Sequence, residues 1–324
     1  MAAAGDYDAE AELARFHESR AGVRGLVESG VTAVPPLFFA PTVPAPQAPA
    51  TPPAFTVPVV ELSLPRADTV ALVGAAARSR GFFHVTNHRV PAGIVAAAAR
   101  AFHEEPLAAS SAFYSLHPAG SVAYSTVPIT QRRGVDAAPI LPWRDSLRVR
   151  FGPGEPELGS LPARCRDALH VYQRLLKGFG NEVAGLLSEA LGVGAGRLEQ
   201  KLQVRGWIMA CHCYPPCPEP TRVVGSLEHT DPGLFTVLAQ DGVGGLQVRY
   251  HHDGAGGGGD GDGGVWVDVV PASCALLVNI GDLLKLSALL PLGAAVAPPD
   301  VRLSVLSDPE GQVPGSDSSP QLED

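Results

Sequence analysis

The stretch SLEHTDPGLFTVLAQDGVGGLQV, residues 226–248, decides how this 324-residue chain is read. Its apolar residues fall into short runs at 224–229, 233–239 and 245–250, separated by Pro, Gly and Asp clusters. Further runs of the same kind at 204–214, 265–270 and 274–280 extend the pattern on both sides. Short strands at such spacing predict a sandwich or barrel from about residue 202 onward, not a parallel βαβ sheet. The low-complexity HHDGAGGGGDGDGG (251–264) reads as a hairpin tip.

Inside that stretch lies His229-Thr230-Asp231. On a strand, residues i and i+2 share a face, so an imidazole and a carboxylate one residue apart can grip one metal ion. With one more histidine they would form the facial triad of non-haem Fe(II) oxygenases. Just upstream, Cys213-Tyr214-Pro215-Pro216-Cys217-Pro218 places a phenol at a strand end fixed by two prolines. A tyrosine hydroxyl there has one strong donor to offer a carboxylate. Cys211, His212, Cys213 and Cys217 also crowd together. Zinc is a poor reading of them, because structural zinc sites take two ligand pairs joined by a longer loop and no second pair lies nearby. Packed strand cysteines are the better account.

Outward from this core, composition narrows the function. Lys+Arg number 24 against 33 Asp+Glu, a formal charge of −9, which argues against a general nucleic-acid or anionic-membrane binder. Five cysteines are too few for a disulfide scaffold, so a reducing compartment is expected. No segment reaches the roughly 18 consecutive apolar residues of a membrane span, and the acidic MAAAGDYDAEAEL start fits neither a secretory nor a transit signal. A cytoplasmic protein, expected to be a monomer, is the default reading.

The first two hundred residues change character. Residues 6–29 read as one amphipathic helix carrying Leu13, Phe16, Val23 and Leu26. From Pro35 to Pro58 nine prolines exclude helix and central strand. Val57–Leu62 and Gly81–Thr86 read as strands, Asp68–Ser79 and Pro91–Phe102 as helices. A long stripe of Leu169, Tyr172, Leu176, Phe179, Val183, Leu187 and Leu191, ending at Gly192, predicts a packed helix over 162–191.

Taken together, these residues resemble the plant 2-oxoglutarate/Fe(II)-dependent dioxygenases. The resemblance rests on GVRGLVESGVTAVPPLF (22–38), GFFHVTNHRVP (81–91), WRDSL (143–147), CYPPCPEP (213–220), the 226–248 stretch and WVDVVPASCALLVNIGDLL (266–284), in family order. The N-terminal block and His212 ahead of Cys-Tyr-Pro-Pro are similar to the 1-aminocyclopropane-1-carboxylate oxidase homologues, a subgroup that includes DIBOA-glucoside dioxygenase. The resemblance implies an α+β fold, a double-stranded β-helix (jelly roll) wrapped by N-terminal helices. It implies His229 and Asp231 as iron ligands and Tyr214 as a contact to 2-oxoglutarate. It also implies Fe(II) as the metal, 2-oxoglutarate and molecular oxygen as co-substrates, ascorbate as a possible helper, and a small specialised metabolite as substrate. Succinate and a hydroxylated, desaturated or ring-closed product would result.

The expected organisation is an N-terminal helix and Pro-rich segment (1–58), a mixed helical region (59–200), a partial jelly roll (201–286) and a divergent, disordered tail (287–324). The family carries a third histidine ligand after NIGDLL, then an Arg-x-Ser pair that holds the far carboxylate of 2-oxoglutarate. Here no histidine lies beyond His252, and Arg302-Leu303-Ser304 is read as a coincidence. His251 and His252 read as a solvated pair and His212 as a supporting residue beside the co-substrate. Without the missing strands, Ala275–Val278 or a neighbour is expected to form an unprotected edge. Impaired catalysis is therefore expected. A non-catalytic protein that binds a small molecule or an intact paralogue is the alternative.

Overall fold

A computed structural model describes residues 7–40, 55–117, 120–127, 140–151, 158–194, 196–198, 200, 206–250, 265–284 and 301–303. In chain order the elements are α1 (Ala9–Ser19), α2 (Gly22–Glu28), β1 (Val59–Glu61), α3 (Arg66–Ser79), β2 (Phe82–Thr86), α4 (Ala92–His103) and α5 (Leu107–Ser111). There follow β3 (Val122–Ser125), β4 (Asp145–Phe151), α6 (Arg166–Leu191), β5 (Trp207–Cys213), β6 (Ser226–His229), β7 (Phe235–Leu238), β8 (Leu246–Tyr250), β9 (Val265–Asp268), β10 (Leu276–Ile280) and β11 (Val301–Leu303).

The strands form three sheets, ordered β1-β2-β10-β7, β6-β11-β8-β9 and β3-β4-β5. The expected α+β jelly roll is what the chain forms. Leu246, Val248 and Val267 of the second sheet, with Val269 just beyond β9, pack on Phe82 and Leu277 of the first, which buries the facing sides of both. On its other face α3 packs on β1 and β2 of the first sheet, and α6 packs on α3 and α4 within the same core. Leu169, Tyr172, Phe179, Val183, Leu187 and Leu191 are all buried there, and Gly192 ends the helix at φ 65°.

Three expectations need correction. The predicted helix over 6–29 is two helices, because Arg20 takes φ 55° and Gly22 φ 67°. The turn is set from across the chain: Asp145 Oδ1 and Oδ2 accept the Val23 and Arg24 amides at 2.9 and 2.8 Å, capping α2. A Cβ on Gly22 would stand 2.5 Å from Asp145 Oδ1, so glycine is required. Second, among the described residues of the Pro-rich stretch, Pro36–Phe38 form a 3-10 turn, since proline is compatible with a first helical position; Leu37 and Phe38 are buried by it. Third, β10 is not an edge. It pairs antiparallel with β2 on one side and β7 on the other, so among the described residues the edge next to it is the neighbouring β7.

The tail also contributes. Val301–Leu303 enters the second sheet between β6 and β8, with Val301 paired to His229 and to Val248. Those three residues of the region expected to be disordered are a strand; the rest of 287–324, like the 251–264 segment, lies outside the described residues. No helix among the described residues is long and apolar enough to cross a membrane.

Candidate metal and co-substrate site

The His229–Asp231 pair is built by two segments that interlock. Gly281 N donates to Leu234 O, Asp282 N to Asp231 O and Leu283 N to Gly233 O, at 2.8–3.0 Å. The fit tolerates no side chain at 281, where a Cβ would meet Gly233 O at 2.3 Å and Asp231 O at 2.8 Å. Thr230 Oγ1 donates to Asp282 Oδ2 at 2.8 Å and Asn279 Nδ2 to Asp231 Oδ2 at 2.6 Å. The NIGDLL motif is thus the cradle of the aspartate. Sequence reasoning marks that motif but does not single out Asn279 as a site residue.

His229 Nδ1 lies 2.8 Å from the Leu227 carbonyl. An acceptor at Nδ1 fixes the proton there and leaves the Nε2 lone pair free. That nitrogen stands 3.7 Å from Asp231 Oδ1, on a side chain 46% exposed. Imidazole and carboxylate converge, but not through the strand period: β6 ends at His229, and Asp231 lies beyond it, placed by its hydrogen bonds to Asn279 and Asp282. Among the described residues no third His, Cys, Asp or Glu joins them. A facial triad needs three donors; the described residues bring together two groups of the right chemistry and no third.

Tyr214 sits on the end of β5, fixed by Trp143. The indole Nε1 donates to Pro215 O at 2.9 Å, the Trp143 amide donates to Val224 O at 2.9 Å, and the ring packs on Phe38. The Tyr214 hydroxyl is sealed from water and makes no well-formed hydrogen bond, with the Arg144 guanidinium beside it. No carboxylate of the protein accepts from it among the described residues. Burial raises its pKa, and the guanidinium of Arg144 opposes that rise. His212, ring centroid 6.4 Å from Tyr214, hydrogen bonds through Nδ1 to Ser146 Oγ at 2.8 Å. Burial holds His212 well below its usual pKa, reinforced by Arg144, Arg148, His103 and His229. His212 is therefore neutral, and it connects the tyrosine end of the site electrostatically to His229.

The strand period also disperses the cysteine and histidine cluster of β5. Cys211 faces the core, where burial pushes its thiol up to about 12, while His212 turns to the opposite side of the strand. They do not converge on a metal.

Residues 206–290 match the model of the 2OG-Fe(II) oxygenase superfamily. The chain is 34% identical to 1-aminocyclopropane-1-carboxylate oxidase homolog 1 of Arabidopsis thaliana, over 85% of this chain and 73% of that protein. It is 33% identical to the 1-aminocyclopropane-1-carboxylate oxidase homolog of Solanum lycopersicum, over 86% and 75%. The chain belongs to the 2OG-Fe(II) oxygenase superfamily. Among solved structures it is similar to JOX2 in complex with 2OG, Fe and JA, with TM-score 0.70, 26% identity and coverage of 89% of this chain and 79% of that one. The dioxygenase for auxin oxidation of rice shares the fold, with TM-score 0.58, 22% identity, and 78% and 79% coverage. The family works with Fe(II) and 2-oxoglutarate on a substrate and oxygen.

Proposed function

We propose that this chain is a 2-oxoglutarate/Fe(II) oxygenase by fold and ancestry, acting in the cytoplasm on a small specialised metabolite. Its metal site holds iron weakly and turns over 2-oxoglutarate slowly. His229 and Asp231 are the two iron ligands in this reading, and Tyr214 addresses the co-substrate. One observation supports it above others: a free His229 Nε2 faces Asp231 Oδ1 at 3.7 Å, with no third donor beside them among the described residues. Loss of a residue that merely supports a ligand costs about 10–100-fold in metal affinity, and loss of a ligand itself is expected to cost more.

The test is anaerobic Fe(II) titration of the purified chain, followed by succinate measurement after oxygen is admitted. Weak, His229-dependent binding with succinate formed at a small fraction of an intact relative's rate is expected. Succinate at the relative's full rate would overturn the impairment. Iron bound equally well by His229→Ala would overturn the ligand assignment.

A second reading, a non-catalytic small-molecule binder, is favoured by the polar face of β4 and β5, which needs no metal to engage a ligand. Ligand-induced stabilisation without consumption of 2-oxoglutarate would support it.

A further inference from the structure

Trp143 and Ser146 of the WRDSL segment support the site described above, whereas its arginine has no ligand assigned to it; the structure divides the segment's residues between two faces. Asp145 and Leu147 point into the core and are fully buried. Arg144, Ser146 and Arg148 take the other face of β4, by the strand period. The register pairs Ser146 with His212 and Arg148 with Ala210, and by extension brings Arg144 beside Tyr214. Two guanidiniums, a neutral imidazole and a phenol therefore share one patch at the tyrosine end of the site.

The patch is charged without being neutralised. Neither Arg144 nor Arg148 forms an ion pair with a carboxylate among the described residues. Arg144 Nε is buried with no hydrogen-bond partner, and the Tyr214 hydroxyl, sealed from water, has the Arg144 guanidinium beside it and no carboxylate. Arg148 has only a long contact from Nη1 to the buried Ser125 Oγ, at 3.4 Å. Burial and the neighbouring Arg144 both disfavour its charge. Asp241, the acidic group within electrostatic reach of Tyr214, is exposed and accepts the Val243 amide instead. An unfilled buried donor is costly, and a partly buried cation without a counter-charge costlier still. A guanidinium fork beside a phenol matches the planar, bidentate geometry of a carboxylate.

We propose that Arg144 and Arg148, with the Tyr214 hydroxyl, form a carboxylate-binding site for a small organic acid. The inference rests on reading this face as the interior of the oxygenase site, but not on iron being held there. The acid is either the 2-oxoglutarate co-substrate, whose usual Arg-x-Ser anchor has no counterpart here in the family's pattern, or an acidic substrate.

The experiment uses the full chain in EDTA, so that metal binding plays no part. Melting temperature and calorimetric binding are measured with 2-oxoglutarate, benzoate and the neutral benzamide. Saturable binding of at least one acid, and none of benzamide, is expected. Arg144→Gln and Arg148→Gln should each weaken that binding about tenfold or more, with the lysine variants intermediate. Their ligand-free melting temperatures should stay level or rise, because an uncompensated buried charge has been removed. His229→Ala should leave acid binding unchanged. Binding of 2-oxoglutarate alone identifies the co-substrate as the source of the carboxylate; binding of benzoate identifies the substrate. No saturable binding of either acid would overturn the proposal. So would equal binding by the glutamine variants, or a ligand-free melt lowered by several degrees in them. Failure of iron binding in the separate titration would leave the carboxylate site standing.

Discussion

Two aspartates carry the contrast between the α2–β4 junction and the β6–β7 turn. Asp145 is completely buried, and its two oxygens accept the Val23 and Arg24 amides and the Thr126 hydroxyl, the last at 2.6 Å. Asp231 receives one side-chain donor, Asn279, and turns its second oxygen towards the free nitrogen of His229. A carboxylate whose lone pairs are filled by the protein serves the fold. One with an oxygen left uncommitted is available to a ligand. Around Asp145 the same economy continues: Arg24 reaches the His103 and Glu105 carbonyls, and His103 Nε2 meets Cys211 O at 3.1 Å. Helices α2 and α4 are thereby tied to β4 and β5.

The largest effect should come from breaking the filled carboxylate. Asp145→Ala leaves two helix amides and a threonine hydroxyl without their acceptor, and exposes a cavity in place of a charge-assisted network. We expect a loss of about 3–5 kcal/mol, a large part of a typical margin of about 5–15 kcal/mol. Chemical denaturation would measure it. A loss below about 1 kcal/mol would mean that the cap is ornamental and the contrast with Asp231 is empty.

The next effect lies on the open side. A methyl group at Gly281 would collide with the carbonyls of Gly233 and Asp231, which are backbone atoms held by neighbouring hydrogen bonds. Gly281→Ala is expected to cost about 2 kcal/mol and to weaken metal binding as well, because Asp231 must shift. A variant with normal stability and normal metal affinity would show that the cradle is slack.

The two regions are unequally legible in the sequence. Strand periodicity around 226–280 marks the strands close to where they form, and the motif marks His229 and Asp231 as a pair, although Asp231 lies past the end of β6. Local pattern suffices there, because each strand is short and each turn carries its own glycine or proline. The α2–β4 junction is not legible in the same way. Periodicity does not single out β3 and β4, and WRDSL stands out only as a motif. The break between α1 and α2 depends on a carboxylate more than a hundred residues away, which no local window contains. The protection of β10 is hidden for the same reason. Its partner β2 lies almost two hundred residues upstream, so an edge inferred from the segment after β10 overlooks the strand far before it. The insertion of β11 beside His229 has no periodic signal at all in three residues.

Mild acid should loosen the filled region. Burial lowers the pKa of His17, His84, His88, His103 and His212 below the usual value. A histidine with a depressed folded pKa binds fewer protons folded than unfolded, so stability is complete above about pH 6.5 and falls as the pH drops below it. The loss continues until each folded value is reached. Melting curves from pH 8 to 5 should show this decline, and amide exchange should report it first at the α4–β5 contact, where His103 meets Cys211. Constant stability down to pH 5 would show that these histidines titrate as if free.

The smallest stability effect should come from the residues with the clearest chemistry. His229 is half-exposed and its one close tie, to Leu227 O, is local. His229→Ala and Asp231→Asn are each expected to change stability by no more than about 0.5 kcal/mol, since asparagine still accepts from Asn279. Both should abolish whatever Co(II) or Mn(II) the chain binds, read by visible absorption or electron paramagnetic resonance. A residue that matters to a ligand and not to the fold separates the two measurements completely. If His229→Ala instead lowered stability as Asp145→Ala does, the imidazole would be one more packed side chain, held by the β11 pairing, and the open carboxylate beside it would have no metal to explain it.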